Sequence, residues 1–234
     1  MPETRQCPDA ARVADAAAEI IATALDQAPG RFKLALSGGS TPPAIFQRLN
    51  ANPEFLAQAD RLDLFWIDER CVNVDDADSN AGSALRNMPD VCAKAQVFRM
   101  RGEIDPEMAA KDYDTCLSEH GGTAAFDLAL IGVGPDGHVA SLFPGDPALD
   151  ASALATTGTN PAGQKRLSVT FPVLWGCSRQ LIVACGASKA GPVAEALKGN
   201  NDTAASPFAR ACSTHERSLI IMDTACADAV NALE

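Results

Sequence analysis

Short apolar runs, each closed by Gly, Asp or Ser, recur along the chain: RFKLALSGG from 31, RLDLFWIDE from 61, FDLALIGVG from 126, RLSVTF from 166, QLIVACG from 180 and SLIIMD from 218. Runs of this length, apolar on both alternating faces, suit buried strands of a largely parallel sheet. Helical spacing fills the gaps. Val13, Ala17, Ile20, Ala24 and Ala28, with Ile21 and Leu25 beside them, form one face of a first helix that stops at Pro29-Gly30. Further helices are predicted at about 42–50, 80–88, 106–119, 189–198 and 223–233. The alternation predicts a single domain over 1–234, an α/β fold with a mostly parallel sheet and helices on both faces. The stretch ASALATTGTNPAGQKR, 151–166, reads as a long surface or active-site loop without a strand of its own.

In open sheets of this kind ligands bind at the carboxyl ends of the strands, so four strand ends carry the chemistry. The first, Ser37-Gly38-Gly39-Ser40-Thr41, precedes a helix marked by Pro42 and Pro43. Glycines let the backbone approach a ligand and free amides at a helix start attract an anion; a plain turn with Ser40 or Thr41 as helix cap explains the stretch equally well. No G-K-[ST] follows, so it is not a Walker loop. The second, Asp68-Glu69-Arg70, leaves its strand for a polar loop. Arg70 offers bidentate donors for a phosphate or carboxylate, or a rim salt bridge to a neighbouring acid. Asp75, Asp76 and Asp78 lack the glycine and distal glutamate of an EF-hand and read as a solvated loop, with Ser79 or Asn80 capping the next helix.

The third strand end, IGVGPDGHVASLFPG at 131–145, spaces Gly132, Gly134 and Gly137 as G-x-G-x-x-G and follows them with His138. Asp136 inside the loop would face a pyrophosphate, and no strand follows to deliver a ribose-binding acid, so dinucleotide binding is disfavoured. His138 beside Asp136 instead suits a general base whose tautomer a carboxylate fixes; the alternative is a structural histidine. His120 and His215 fall in a polar helix end and a loop. The fourth, Gly186-Ala187-Ser188-Lys189, puts a lysine where the helix dipole disfavours it, either to meet a phosphate or as an exposed side chain.

Composition narrows the partners. With 19 Lys and Arg against 30 Asp and Glu, the net charge of −11 repels nucleic acid and anionic lipid, so an anionic ligand needs a local cationic pocket. The eight cysteines show no C-x-x-C pair or zinc-ligand spacing and read as reduced, mostly buried thiols. Neither a signal peptide nor a membrane-spanning stretch is recognisable, which points to the cytoplasm.

Taken in order, LSGGSTP at 36–42, WIDER at 66–70, DSN at 78–80, the GVGPDGHVASLFPG block, Thr170-Phe171-Pro172 and the Gly186–Ala190 segment resemble the 6-phosphogluconolactonases over nearly the whole chain. That resemblance implies a layered, Rossmann-like fold shared with glucosamine-6-phosphate deaminases and ribose-5-phosphate isomerases. It also implies hydrolysis of a sugar-phosphate lactone in the pentose phosphate pathway, with His138 as base oriented by Asp136. Gly38, Gly39, Ser40, Thr41, Arg70 and Lys189 would then hold the phosphate. No cofactor or metal is called for; the expected partner is the small lactone, and the expected state a monomer or weak homo-oligomer. Val72-Asn73-Val74 after Cys71, and the continuation AGSAL after DSN, depart from the family pattern at the pocket rim. In the deaminases the matching block looks like DGHIAFNEP, with a catalytic glutamate where this chain has Phe143, and an aromatic residue usually stands at the place of Arg70. Two alternatives remain: a deaminase or isomerase of the same fold, and a non-catalytic sugar-phosphate binding protein.

Overall fold

Seven strands form one parallel sheet in the computed structural model, which describes residues 2–199, 206–213 and 217–233. They are β1 (Glu3–Cys7), β2 (Phe32–Leu36), β3 (Leu62–Trp66), β5 (Gln96–Phe98), β6 (Leu128–Gly132), β9 (Gln180–Ala184) and β10 (Ser218–Asp223), in the order β1-β10-β9-β6-β2-β3-β5. Alternation along each strand sends successive side chains to opposite faces, and the sheet accordingly has two cores. Leu34, Leu36, Leu64, Trp66, Leu128 and Leu130 pack on one side against α1 (Ala10–Gln27), α2 (Pro42–Ala51), α3 (Pro53–Ala57), α4 (Asn80–Asn87) and α5 (Pro89–Lys94). Ala35, Phe65, Ala129, Ile131, Ile182 and Ile220 pack on the other against α6 (Pro106–Glu119), α7 (Phe171–Gly176), α8 (Ala190–Leu197), α9 (Pro207–Ser213) and α10 (Thr224–Asn231). Burying each such large apolar side chain contributes roughly 1.5–3 kcal/mol.

Helix starts are set by side-chain caps where the sequence supplies them. Asp9 accepts from the Arg12 amide at 2.8 Å, Asp105 from Met108 at 3.0 Å, and Ser79 from Gly82 at 2.9 Å. α1 ends at Ala28, before Pro29-Gly30, as the periodicity predicts.

The predicted main-sheet strand from 166 is misassigned. Residues 165–169 form β8 (Lys165–Val169), which lies in a separate antiparallel sheet of order β4-β8-β7 with β4 (Asp68–Arg70) and β7 (Ala155–Thr159). The expectation of a strandless loop at 151–166 is corrected with it: β7 occupies the middle of that stretch and pairs with β8. Leu167, Ser168 and Val169 are all buried, while Lys165 at the other end of β8 is exposed. Asp68, Glu69 and Arg70 likewise form a strand instead of entering a loop, opposite Ser168, Leu167 and Arg166. Ile67 joins the two sheets: its amide donates to Leu36 O at 2.9 Å, and its carbonyl accepts from Val169 N at 2.8 Å.

From β2 the chain runs outward through β3 to β5; after returning to β6 it runs the other way through β9 to β10. The direction of winding reverses between β2 and β6, where a crevice opens at the carboxyl ends. The small sheet lies along that crevice.

Candidate functional site

The loops after β2 and β6 face each other at the reversal point, and β4 and the turn after β9 close the remaining sides. They enclose a cavity of about 270 Å³ lined by residues 37–42, Asp68, Arg70, Asn80, residues 132–135, His138, Ala140, Val183, Cys185 and Lys189. A larger groove of about 430 Å³ lies elsewhere, between α1, α2 and α3; it is mainly acidic, and its Arg48 is tied to Asp15. The smaller cavity brings Arg70 and Lys189, neither of them in an ion pair among the described residues, to the same lining as His138.

The loop at 37–41 is shaped by two glycines. Gly39 has φ +106°, which L side chains avoid, and a Cβ on Gly38 would come 1.7 Å from Asn80 Oδ1. Thr41 takes the N-cap position of α2 but makes no capping bond with its side chain, so the helix-cap reading of its hydroxyl does not hold; the hydroxyl is turned to the Cys185 thiol.

The loop at 132–138 is a closed turn. Gly134 N–H donates to His138 O at 3.0 Å, and Gly137 N–H to Gly134 O at 3.0 Å. His138 Nδ1 lies 2.6 Å from Asp136 Oδ1, and its ring packs on Phe143 with centroids 4.7 Å apart. Burial works to raise the Asp136 carboxyl, but the charge and hydrogen bonds of His138 outweigh it and leave the carboxyl below its ordinary value. Two residues on, Ala140 has φ +50°, a left-handed conformation unusual for a residue with a Cβ. It turns the chain so that Ser141 reaches back to Asp68.

Lys189 closes a short turn, Ala187–Lys189, and forms the N-cap of α8. The turn is anchored by Gly186 N–H, which donates to both carboxylate oxygens of Asp223 at 2.9 and 3.0 Å. Among the described residues Lys189 has no ion pair, and Arg70 spends its guanidinium only on the carbonyl of Asp78. The rim salt bridge considered for Arg70 is absent there. All the residues singled out for the site thus border one cavity or, for Asp136, hold a residue that does.

Asp68 and Arg166 have no role assigned from the sequence. Asp68 is 7% exposed and lines the cavity, its carboxyl pushed up by burial against the opposing effects of Ser141, Arg70, His138 and Arg166. Asn80 and Ser141 hold it. Arg166 stands opposite Arg70, and burial together with the Arg70 charge lowers its pKa. Residues 68 and 70 share a strand face by parity, and 166 and 168 lie across from them, a signal available once β4 and β8 are known to pair. Glu69 points elsewhere: it accepts from Ser79 Oγ and the amides of Asn80 and Ala81, tying β4 to the start of α4.

His120 sits outside the cavity at the end of α6, its ring against Phe98 and Phe65; His215 lies outside the described residues. Among the described residues no three His, Cys, Asp or Glu side chains converge as metal ligands would, and no helix is long and apolar enough to cross a membrane. No disulfide forms among the described residues, and five of the eight cysteines are buried.

The chain is 37% identical over 186 residues to the probable chloroplastic 6-phosphogluconolactonase 4 of Oryza sativa, covering 72% of this chain and 57% of the relative's length. It is 33% identical over 211 residues to a 6-phosphogluconolactonase of Nostoc sp., covering 86% of this chain and 87% of the relative. The crystal structure of devB protein superposes with a TM-score of 0.86 at 31% identity, over 97% of this chain and 99% of that one. Residues 8–220 match the model of the glucosamine-6-phosphate isomerases/6-phosphogluconolactonase family, and the chain belongs to that family.

Proposed function

We propose that the cavity hydrolyses 6-phospho-D-glucono-1,5-lactone to 6-phospho-D-gluconate, the reaction named in the relatives. The observation that carries this reading is the 2.6 Å contact of His138 Nδ1 with Asp136, at the edge of a cavity that also holds Arg70 and Lys189. The Nδ1 proton is donated to the carboxylate, which leaves Nε2 free to take a proton from water. The hydroxide so formed attacks C1 of the lactone; the tetrahedral intermediate collapses, the C1–ring oxygen bond breaks, and the ring oxygen takes the proton back from His138. The 37–41 loop, Arg70 and Lys189 hold the phosphate, fixing C1 before the base.

Phe143 favours this reading over the deaminase alternative. Where the resemblance places a glutamate in deaminases, a buried aromatic ring packs against His138, so the carboxylate for opening an aldose ring is missing. The test is initial proton release on adding fresh lactone, corrected for spontaneous hydrolysis, with His138→Ala beside the wild type. Acceleration by the wild type that falls at least about a hundredfold in the variant supports the reading. A folded wild type that binds 6-phosphogluconate without accelerating hydrolysis supports a binding protein instead.

A further inference from the structure

Asp223, at the end of β10, is 8% exposed and takes no part in the mechanism above. Backbone pairing between β9 and β10 stops at Ala184 and Met222. Beyond that point a side chain takes over: Gly186 N–H donates to both carboxylate oxygens of Asp223, and Cys226 N–H donates to Oδ1 at 2.8 Å. Both donors are backbone amides, and no salt bridge among the described residues includes Asp223. A buried carboxylate without a counter-ion is costly. Capping α10 does not require one, since the exposed Asp9 caps α1 just as well.

The reason lies in what hangs from Gly186. Its φ of +87° and ψ of 150° fall in a region essentially reserved for glycine, which persists only where the surroundings fix it. Asp223 fixes the amide side. On the carbonyl side Lys189 N–H donates to Gly186 O at 3.1 Å and closes the turn. Lys189 thus stands at the start of α8 on a three-residue turn whose base is Asp223. A lysine there is opposed by the helix dipole, and the carboxylate lodged ahead of the same turn offsets that repulsion. The Cys226 thiol feels both charges: burial raises its pKa most, Asp223 raises it further, and Lys189 lowers it. Asp223 makes no ion pair with the ammonium itself, which keeps its charge for the cavity.

Resting on the sugar-phosphate reading above, we propose that Asp223 is a positioning residue for phosphate binding: by holding the Gly186 amide it fixes the turn that directs Lys189 at the phosphate. It touches no substrate and acts through Lys189.

The test is a double-mutant cycle read by calorimetric titration with 6-phosphogluconate, using wild type, Asp223→Asn, Lys189→Met and the double variant. In Asp223→Asn an amide oxygen in the place of Oδ1 keeps the cap of α10, while an amide nitrogen in the place of Oδ2 sets one N–H against that of Gly186 and displaces the turn. Lys189→Met is expected to weaken binding roughly 10- to 100-fold, and Asp223→Asn at least about fivefold. The double variant should bind no more weakly than Lys189→Met alone, because a displaced turn matters only while it carries the lysine. A merely structural role would make the two losses multiply. The proposal is overturned if they multiply, or if either single variant binds as the wild type does. Should Asp223→Asn not fold, Gly186→Ala takes its place in the cycle: nothing lies within 4 Å of the added Cβ, but the φ of +87° strains it, so the turn shifts while Asp223 still caps α10. The same non-additive loss is expected, and the same outcomes overturn the proposal. A wild type that shows the non-additivity but does not accelerate lactone hydrolysis keeps Asp223 in its role and removes the lactonase reading. One that hydrolyses the lactone while the losses multiply does the reverse, and absence of any 6-phosphogluconate binding removes both.

Discussion

Gly134 leaves room for the contact between Asp136 and His138: a Cβ at that position would lie 2.1 Å from His138 Nδ1 and 2.5 Å from Asp136 Oδ1. Gly134→Ala is therefore expected to reduce kcat for lactone hydrolysis at least about tenfold with the fold intact, because the base is displaced and not removed. Proton-release kinetics and near-ultraviolet dichroism on one preparation check this. An unchanged kcat would show that the imidazole need not stay where it is.

Asp136→Asn keeps the shape of the pair and removes its charge. The amide can still accept from Nδ1–H but no longer stabilises the imidazolium formed during attack, so kcat should fall roughly tenfold or more while KM changes little. Steady-state kinetics separate the two parameters. A rise in KM alone would move Asp136 from orienting His138 to holding substrate.

The Lys189 ammonium has no ion pair among the described residues and borders the cavity. Lys189→Met should raise KM for the phosphorylated lactone roughly 10- to 100-fold and leave turnover of unphosphorylated gluconolactone as it is. Equal losses on both lactones would place the lysine at the reacting carbon.

Away from the site, Tyr113 completes a strand end. β5 pairs with β3 only as far as Phe65, and beyond it the Tyr113 hydroxyl accepts from Trp66 N and donates to Trp66 O, both at 2.9 Å. Tyr113→Phe leaves both groups buried and unpaired, a loss of about 1–3 kcal/mol. Urea unfolding monitored by Trp fluorescence measures it.

Asp68 also marks the pH profile of stability. Burial holds its carboxyl above the ordinary value. A carboxyl raised in the folded state contributes stability below its unfolded pKa and loses that contribution as the pH rises through the folded value. Between about pH 4 and pH 7 the urea midpoint of the wild type should therefore drop relative to that of Asp68→Asn. Parallel midpoints at the two pH values would show that Asp68 titrates alike folded and unfolded.

Much of this molecule could be read in advance, for definite reasons. β2, β6 and β9 are buried on both faces, so their apolar runs stand out, and the glycines and prolines after them mark the crevice. β1 could not be seen, because ETRQC is mostly exposed and is a strand only through its pairing with β10. β8 is legible as a strand but not as part of a second sheet, because its buried end reads like a main-sheet strand and its partner β7, ATTGT, has no apolar run to announce it. His138, Arg70, Lys189 and the 37–41 loop were legible because each sits at a strand end. Asp68 sits at one too, but its burial depends on Asn80, 12 residues away, and Ser141, 73 residues away, and no local pattern encodes that.

Ile67 is a single residue, fully buried, with its amide in one sheet and its carbonyl bonded beside the other. A joint this short leaves no slack between the sheets, so a ligand that restrains Asp68 and Arg70 also restrains the centre of the larger sheet. The amides of Ile67 and Val169, whose side chains do not line the cavity, then become internal reporters of occupancy: their hydrogen exchange should slow when the pocket fills, giving a label-free signal of binding from the middle of the core.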